Sequence, residues 1–217
     1  MRLDHPNILK GLDFGVSKGM YFLALEFIQG ESLNLFIEKK LLFTEHYAFE
    51  VIFQLAKALA YLEKRNIVHR DVKPGNILLV EEVAKLCDFA FAIDTTRIKD
   101  EEGLFENTCG TIEYISPEQA RGNKDIDSRS DVYSLGITCI QMITGKLPFS
   151  DKDPREVMRM QIYEPVKFEN FPTISRNGRI VLEYMLEKDR DKRIPASKLV
   201  PLIEKLLNHI RKHSAQT

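Results

Sequence analysis

Asp71, Lys73 and Asn76 stand in the stretch His69-Arg70-Asp71-Val72-Lys73-Pro74-Gly75-Asn76, a polar cluster between two apolar segments. Their types and spacing suit phosphoryl transfer. A carboxylate at 71 can accept the proton of an attacking hydroxyl. Asn76, reached through a D-x-x-x-x-N spacing, can hold a magnesium ion, and Lys73 can neutralise charge on the phosphoryl group in flight. A His-Arg-Asp tripeptide alone is common by chance and reads as an ordinary capped turn. The whole run leads directly into Ile77-Leu78-Leu79, a buried-strand pattern, and that context favours the chemical reading.

Other elements must position these groups. Ile8–Val16 and Met20–Ile28 are apolar runs separated by Ser17-Lys18-Gly19, the pattern of a β-hairpin or of two neighbouring strands. Gln29-Gly30-Glu31-Ser32 breaks the second run. Ser32 then suits a helix N-cap, with Leu33, Phe36 and Ile37 on one face. A long helix is expected from about Thr44 to Lys64, with Phe49, Ile52, Phe53, Leu55, Ala56, Leu59 and Leu62 at helical spacing. Ile77–Val80 and Val83–Cys87 read as two short strands around Glu81-Glu82. From Asp88 to Glu118 the periodicity disappears and Thr, Asp, Glu and Gly accumulate, so this segment reads as a long functional loop. Beyond it the pattern is wholly helical. Asp131–Thr144 is closed by Gly145 and Pro148, Asp153-Pro154 opens the next helix, and Ile180–Leu186 and Ser197–Ile210 follow. Strands first and helices after give an α+β order.

Composition narrows the classes. The chain has 217 residues, 44% hydrophobic and 29% charged, enough to bury one sizeable core. A formal net charge of -1 argues against nucleic acid or an acidic membrane as an obligate partner. Cys87, Cys109 and Cys139 are far apart and form no C-x-x-C, which disfavours a disulfide framework and favours a reducing, cytoplasmic setting. The most apolar long stretch, Leu41–Leu62, is interrupted by Glu45, His46, Glu50, Gln54 and Lys57. It reads as an amphipathic helix and not as a membrane span.

Residues 69–79 resemble the catalytic loop of the protein kinases, and further motifs follow in that family's order. Leu86-Cys87-Asp88-Phe89-Ala90 is similar to its Asp-Phe-Gly motif, which implies a magnesium-ligand role for Asp88. Ala90 stands where glycine is expected and should make a flip of Phe89 harder. Cys109-Gly110-Thr111-Ile112-Glu113-Tyr114-Ile115-Ser116-Pro117-Glu118 is similar to the end of the activation segment, with Ser-Pro-Glu in place of Ala-Pro-Glu. In that family a threonine like Thr111 helps fix the catalytic aspartate and a lysine like Lys73, and the pair implies serine/threonine specificity. The resemblance also implies a buried pair between Glu118 and Arg193, and a role for Asp131 in orienting the catalytic-loop backbone. Ala24–Gly30 resembles the strand and hinge that hold adenine. Leu25 is then the gatekeeper, Glu26 and Ile28 offer main-chain contacts, Ser32 reaches the ribose, and Leu78 packs beneath the ring. His69 is expected to pack under the metal-binding loop, and His46 and His209 are read as structural. Thr95, Thr96 and Thr108 are candidate phosphorylation sites in a mobile segment, with Arg70 as the phosphate's partner.

The resemblance implies ATP and Mg2+ as cofactors and a protein substrate with a Ser or Thr acceptor. It makes residues 1–217 a partial kinase domain: 1–28 a remnant of the N-terminal lobe with the hinge, 29–217 a complete helical C-terminal lobe, and 88–118 the activation segment. Leu3-Asp4-His5-Pro6-Asn7-Ile8 resembles the junction between the family's C-helix and its fourth strand, so only the fourth and fifth strands of that lobe are expected. The 217 residues hold no G-x-G-x-x-G, and Gly11–Val16 lacks that spacing and lies on the wrong side of His5-Pro6-Asn7. The family's third-strand lysine and C-helix glutamate also belong upstream of this junction. Two functions follow. The first is a serine/threonine protein kinase whose sequence starts late, weak or inactive as an isolated chain. The second is a catalytically inactive, pseudokinase-like scaffold. Retention of Asp71, Lys73, Asn76, Asp88, Thr111 and Glu118 favours the first.

Overall fold

The computed structural model describes residues 3–96 and 111–214. Expectations that fall on Thr108, Cys109 and Gly110 lie outside these residues. The order is β1 (Gly11–Ser17), β2 (Met20–Leu25), β3 (Glu31–Ser32), α1 (Leu33–Glu38), α2 (Glu45–Glu63), β4 (Ile67–Val68), β5 (Ile77–Val80), β6 (Val83–Leu86), β7 (Ile93–Asp94), α3 (Pro117–Ala120), α4 (Arg129–Thr144), α5 (Pro154–Tyr163), α6 (Arg176–Met185) and α7 (Ala196–Ser214). Both element types are present, as the α+β class predicts, but the strands-first order holds only in part: α1 and α2 lie between β3 and β4, and only α3–α7 follow the last strand.

The hairpin β1–β2 is antiparallel with Ser17 opposite Met20, so Lys18-Gly19 is a two-residue turn. Both turn residues have positive φ, 51° and 78°, which matches the twist of the flanking strands. The strands are shorter than the apolar runs. Ile8 leaves the hairpin and bridges to Leu86 in β6, with Leu9 N–H donating to Leu86 O at 2.8 Å and Leu86 N–H to Asn7 O at 2.9 Å. The Asn7 amide donates to Ala84 O and Gln54 Oε1, both at 2.9 Å, and stitches this segment to β6 and α2. At Gly30 a side chain would meet Leu79 O at 2.6 Å, so only glycine lets β3 approach β5 here.

The core lies among the helices. Thr44 caps α2 by accepting from Tyr47 N–H, and Ala48, Phe49, Val51, Ile52, Leu55, Ala56, Leu59 and Leu62 are buried along it. Helix α4 is buried on nearly every side, including its polar residues Ser130, Asp131, Ser134 and Thr138. Asp153 and Pro154 occupy the N-cap and first turn of α5, as expected. Four elements escaped the periodicity. The two-residue strands β3, β4 and β7 form by pairing, β3 with β5 and β4 with β7, and α3 is a single turn opened by Ser116. No helix of the described residues is long and apolar enough to cross a membrane. Cys87 and Cys139 are free thiols.

Candidate active site

The polar stretch emerges from β4 and re-enters the sheet at β5 through a 3-10 turn, Pro74–Asn76. That turn folds the chain back so that Asn76 meets Asp71. The Asp71 carboxylate is 5% exposed and sits among four donors. Its Oδ1 accepts from Thr111 N–H at 3.1 Å and from the Thr111 hydroxyl at 3.3 Å. Its Oδ2 accepts from Asn76 Nδ2 at 2.9 Å and pairs with Lys73 Nζ at 2.8 Å. Lys73 also donates to Thr111 Oγ1 at 2.6 Å. Asp71, Lys73, Asn76 and Thr111 are thus one cluster, although Thr111 lies far along the chain. The carboxylate is held in a single orientation.

The backbone is gripped to achieve this. Arg70 and Asp88 both adopt left-handed φ, 70° and 60°. Such backbones in non-glycine residues cost of order 1–3 kcal/mol and persist only when surroundings over-determine them. Asp131 Oδ2 accepts from His69 N–H and Oδ1 from Arg70 N–H, each at 2.8 Å, as the resemblance implies. Burial pushes the Asp131 carboxyl up to about 7, while these two donors pull in the opposite sense. Gln119 Nε2 donates to Arg70 O at 2.9 Å and grips the same residue from the other side. Sequence reasoning missed Gln119. Its signal is the Ser116-x-x-Gln119 capping box, which the structure forms and which orients α3 toward the loop.

Both Asn76 amide protons go to Asp71, to O at 2.8 Å and Oδ2 at 2.9 Å, which leaves the amide oxygen on the side away from Asp71. Cys87 N–H donates to Asn76 O at 2.9 Å, so Asp88 follows directly on a residue bonded to Asn76. Asp88 is exposed, and its Oδ1 accepts from Ala90 N–H at 3.2 Å. Among the described residues no group of three or more His, Cys, Asp or Glu could hold a metal. An amide oxygen and a carboxylate are hard ligands that fit magnesium, an ion that takes its remaining ligands from phosphate and water. The pair therefore fits the ion. His69 lies beneath, its Nε2 against Cys87 O at 3.0 Å and its ring edge-on to Phe89 at 4.7 Å. Burial pulls its pKa below the ordinary histidine value.

The residues expected to face a nucleotide lie on the strands or just after one. Ser32 and Leu78 are direct partners across β3 and β5, and both are half-buried. Ser32 is the N-cap of α1 but makes no side-chain capping bond. Glu26 and Ile28 follow β2. Glu26 N–H donates to Lys10 O at 2.9 Å, while its carboxylate pairs with Lys85 Nζ at 2.9 Å and accepts from Lys10 N–H at 2.8 Å. The Lys85 hydrogen bond holds that carboxyl below its usual range. The Glu26 side chain is thus a brace between strands, which sequence reasoning did not anticipate. Thr95 and Thr96 hydroxyls donate locally, to Asn66 O at 3.1 Å and Asp94 Oδ1 at 2.6 Å.

Glu118 and Arg193 form the buried pair the two motifs imply. Arg193 Nη1 and Nη2 meet Glu118 Oε1 and Oε2 at 2.6 and 3.0 Å, and Ser130 Oγ adds a third donor at 2.6 Å. Burial alone would raise the Glu118 carboxyl, but Arg193 and Ser130 hold it below the ordinary value. The protein kinase domain family matches residues 1–208. The chain belongs to the protein kinase family. Relatives of this kinase include a probable serine/threonine-protein kinase of Clostridium perfringens, 37% identical over 165 residues, 75% of this chain and 23% of the relative. The serine/threonine-protein kinase pkn3 of Myxococcus xanthus is 36% identical over 156 residues, 68% of the chain and 28% of the relative. The serine/threonine-protein kinase Aurora-1 of Arabidopsis thaliana is 30% identical over 199 residues, 91% of the chain and 65% of the relative. The kinase chain thus spans about a quarter of the length of the first two.

Proposed function

We propose that this chain carries the catalytic loop of a serine/threonine protein kinase that transfers the γ-phosphate of ATP to a protein Ser or Thr hydroxyl. The observation that carries the reading is the Asp71 carboxylate, held by Thr111, Lys73 and Asn76 at hydrogen-bond distance. Asp71 accepts the proton of the acceptor hydroxyl. Lys73, already beside Asp71, neutralises charge on the transferred group, and Thr111 fixes both. Asn76 and Asp88 are the residues that would hold magnesium, which would supply charge neutralisation at the phosphates. Leu78 supports the adenine ring, Ser32 the ribose, and the backbone at Glu26 and Ile28 the adenine edge. The hairpin β1–β2 is read as part of an N-terminal lobe, and the site as needing a phosphate cradle that the 217 residues do not contain as a G-x-G-x-x-G loop. A preorganised donor of that kind is worth a rate factor of about 100 to 1,000.

The test is peptide phosphorylation by the 217-residue chain, by the natural full-length protein and by its Asp71→Asn variant. The full-length protein should transfer phosphate with magnesium, Asp71→Asn should abolish transfer, and the short chain should be weak or silent. In calorimetry Asp88→Asn should weaken Mg-ATP far more than metal-free ADP. An inactive full-length protein that still binds partners through this domain would leave the scaffold reading.

A further inference from the structure

A chain of hydrogen bonds, buried at its centre and partly buried at both ends, runs from the loop after α6 to the segment that follows Thr111. Lys188 Nζ donates to Tyr133 Oη at 2.7 Å, to Gln161 O at 2.7 Å and to Met160 O at 3.3 Å. Tyr133 Oη gives its own proton to Gln161 Oε1 at 2.7 Å. Gln161 Nε2 then donates to Glu113 O at 2.7 Å and Ile112 O at 3.4 Å. Tyr133 and Gln161 are fully buried. An ammonium has three donors and no acceptor, so these three oxygens saturate it. None of them is an anion, and the Phe149 and Tyr133 rings lie 4.3 and 5.1 Å from Nζ. Withdrawing a lysine even partly from water without a carboxylate is costly, and packing alone would be better served by methionine. The far end of the chain of bonds shows what the charge does there. Ile112 and Glu113 directly follow Thr111, whose N–H and hydroxyl touch Asp71. A hydroxyl arriving at Asp71 on a polypeptide must pass this segment.

We propose that Lys188 is a positioning residue for the protein substrate: through Tyr133 and Gln161 it anchors the carbonyls of Ile112 and Glu113, and with them the wall beside Asp71 against which the acceptor polypeptide lies. The assignment rests on the phosphotransfer reading above. Protonation modulates it. Burial, reinforced by Arg193 and Arg121, pulls the Lys188 ammonium down to about 7, with Glu164 acting in the opposite sense. Those residues, with Tyr133, are the charged and titratable groups that face it from its own loop, from beyond α3 and α5, and from α4. Burial pushes the Tyr133 phenol above its usual range, so it remains a donor. A neutral amine has two donors and one lone pair. Its lone pair can accept the hydrogen bond of the Tyr133 hydroxyl, which keeps its proton; Gln161 Oε1 then loses its donor, and the amide that holds residues 112–113 is released.

The test combines steady-state kinetics of the full-length protein with amide exchange across 111–115, read by mass spectrometry on the same samples. Loss of one anchoring hydrogen bond should raise the peptide KM about tenfold in Lys188→Met and speed exchange similarly, with kcat and the ATP KM held within about twofold. Gln161→Met, which leaves the lysine in place, should reproduce both effects. Wild-type peptide KM should rise as pH passes about 7, and Lys188→Arg, permanently charged, should keep the low KM and flatten that step. Wild-type KM and exchange in Lys188→Met would overturn the proposal. So would a joint change of kcat, both KM values and melting temperature in all three variants, since that signals packing alone. If the wild-type protein phosphorylates no peptide, the phosphotransfer reading fails. Exchange then still decides the anchoring, and unchanged exchange overturns it.

Discussion

At the residue scale, the site is a set of charges that are useful only because others hold them still. Asp71 depends on Lys73, Asn76 and Thr111, and the loop that carries it depends on Asp131 and Gln119. The Glu118–Arg193 pair belongs to the same scale. Arg193 is 2% exposed, and it also donates to Glu187 O at 2.8 Å and Arg129 O at 2.9 Å. Arg193→Ala should therefore destabilise the fold by about 3–5 kcal/mol, because Glu118 is left buried and unpaired. Urea denaturation measures this, and a loss below about 1 kcal/mol would show the pair to be dispensable. The pH dependence has a definite sign. Glu118 has a depressed folded pKa, so its stability is present above the ordinary glutamate value and is lost as pH falls through the lower folded one. His69 adds an earlier step. Its Nδ1 accepts from Asp71 N–H at 3.3 Å, a bond that protonation of Nδ1 destroys. Its folded pKa is lowered, so its contribution is complete above about 6.5 and is lost as pH falls below that. Melting temperature should drop between pH 7.5 and 5.5, and the drop should shrink in His69→Leu.

At the element scale, short pieces do the positioning and long helices do the holding. A three-residue turn, Pro74–Asn76, and the two-residue strands β4 and β7 place the polar groups, whereas α2 and α4 supply the buried mass. Helix α4 ends at Gly145, which has φ 68° and donates its N–H to Gln141 O at 2.8 Å. A side chain there would meet Leu42 Cδ2 at 2.9 Å. Gly145→Ala should cost at least about 1–2 kcal/mol, since the left-handed backbone and the contact both oppose a Cβ. Unchanged denaturation midpoints would refute this. The expectation that Ala90 limits Phe89 also belongs here. Among the described residues, the left-handed backbone in this motif falls on Asp88, and Ala90 is not one of the positive-φ residues. The alanine is therefore unstrained in this state.

At the scale of the whole molecule, a helical body carries a hairpin that is apolar and bare. Phe14 is 82% exposed, Tyr21 90% and Phe27 92% among the described residues. A hollow of about 400 Å³ lined by Leu9, Leu12, Phe14, Leu23, Leu25 and Phe89 opens beside it. Apolar surface, on a sheet that among the described residues has only the two strands β1 and β2, favours self-association. Replacing Phe14 and Tyr21 with lysine should keep this chain dispersed at concentrations where the unaltered chain scatters light, and equal scattering would count against that reading. Much of this was legible beforehand. The α+β class, the long helices, the start of α2 near Thr44, the N-cap at Asp153 and the stop at Gly145 follow from local periodicity and backbone preferences, which act within a few residues. That the polar groups from His69 to Asn76 would meet was legible for the same reason: turn, carboxylate, lysine and amide sit within one loop. What no local signal carried was reach. Ile8 and Leu9 leave an apolar run because β6 offers a better partner, and β7 exists only because β4 lies beside it. Glu26 became a brace because Lys85 stands within 2.9 Å, and Gln119 and Gln161 found carbonyls 49 and 48 residues away. Residue types and local spacing set which groups could react. Only tertiary packing decided which distant donors would satisfy them, because a buried polar group must take whatever partner the fold brings within about 3 Å.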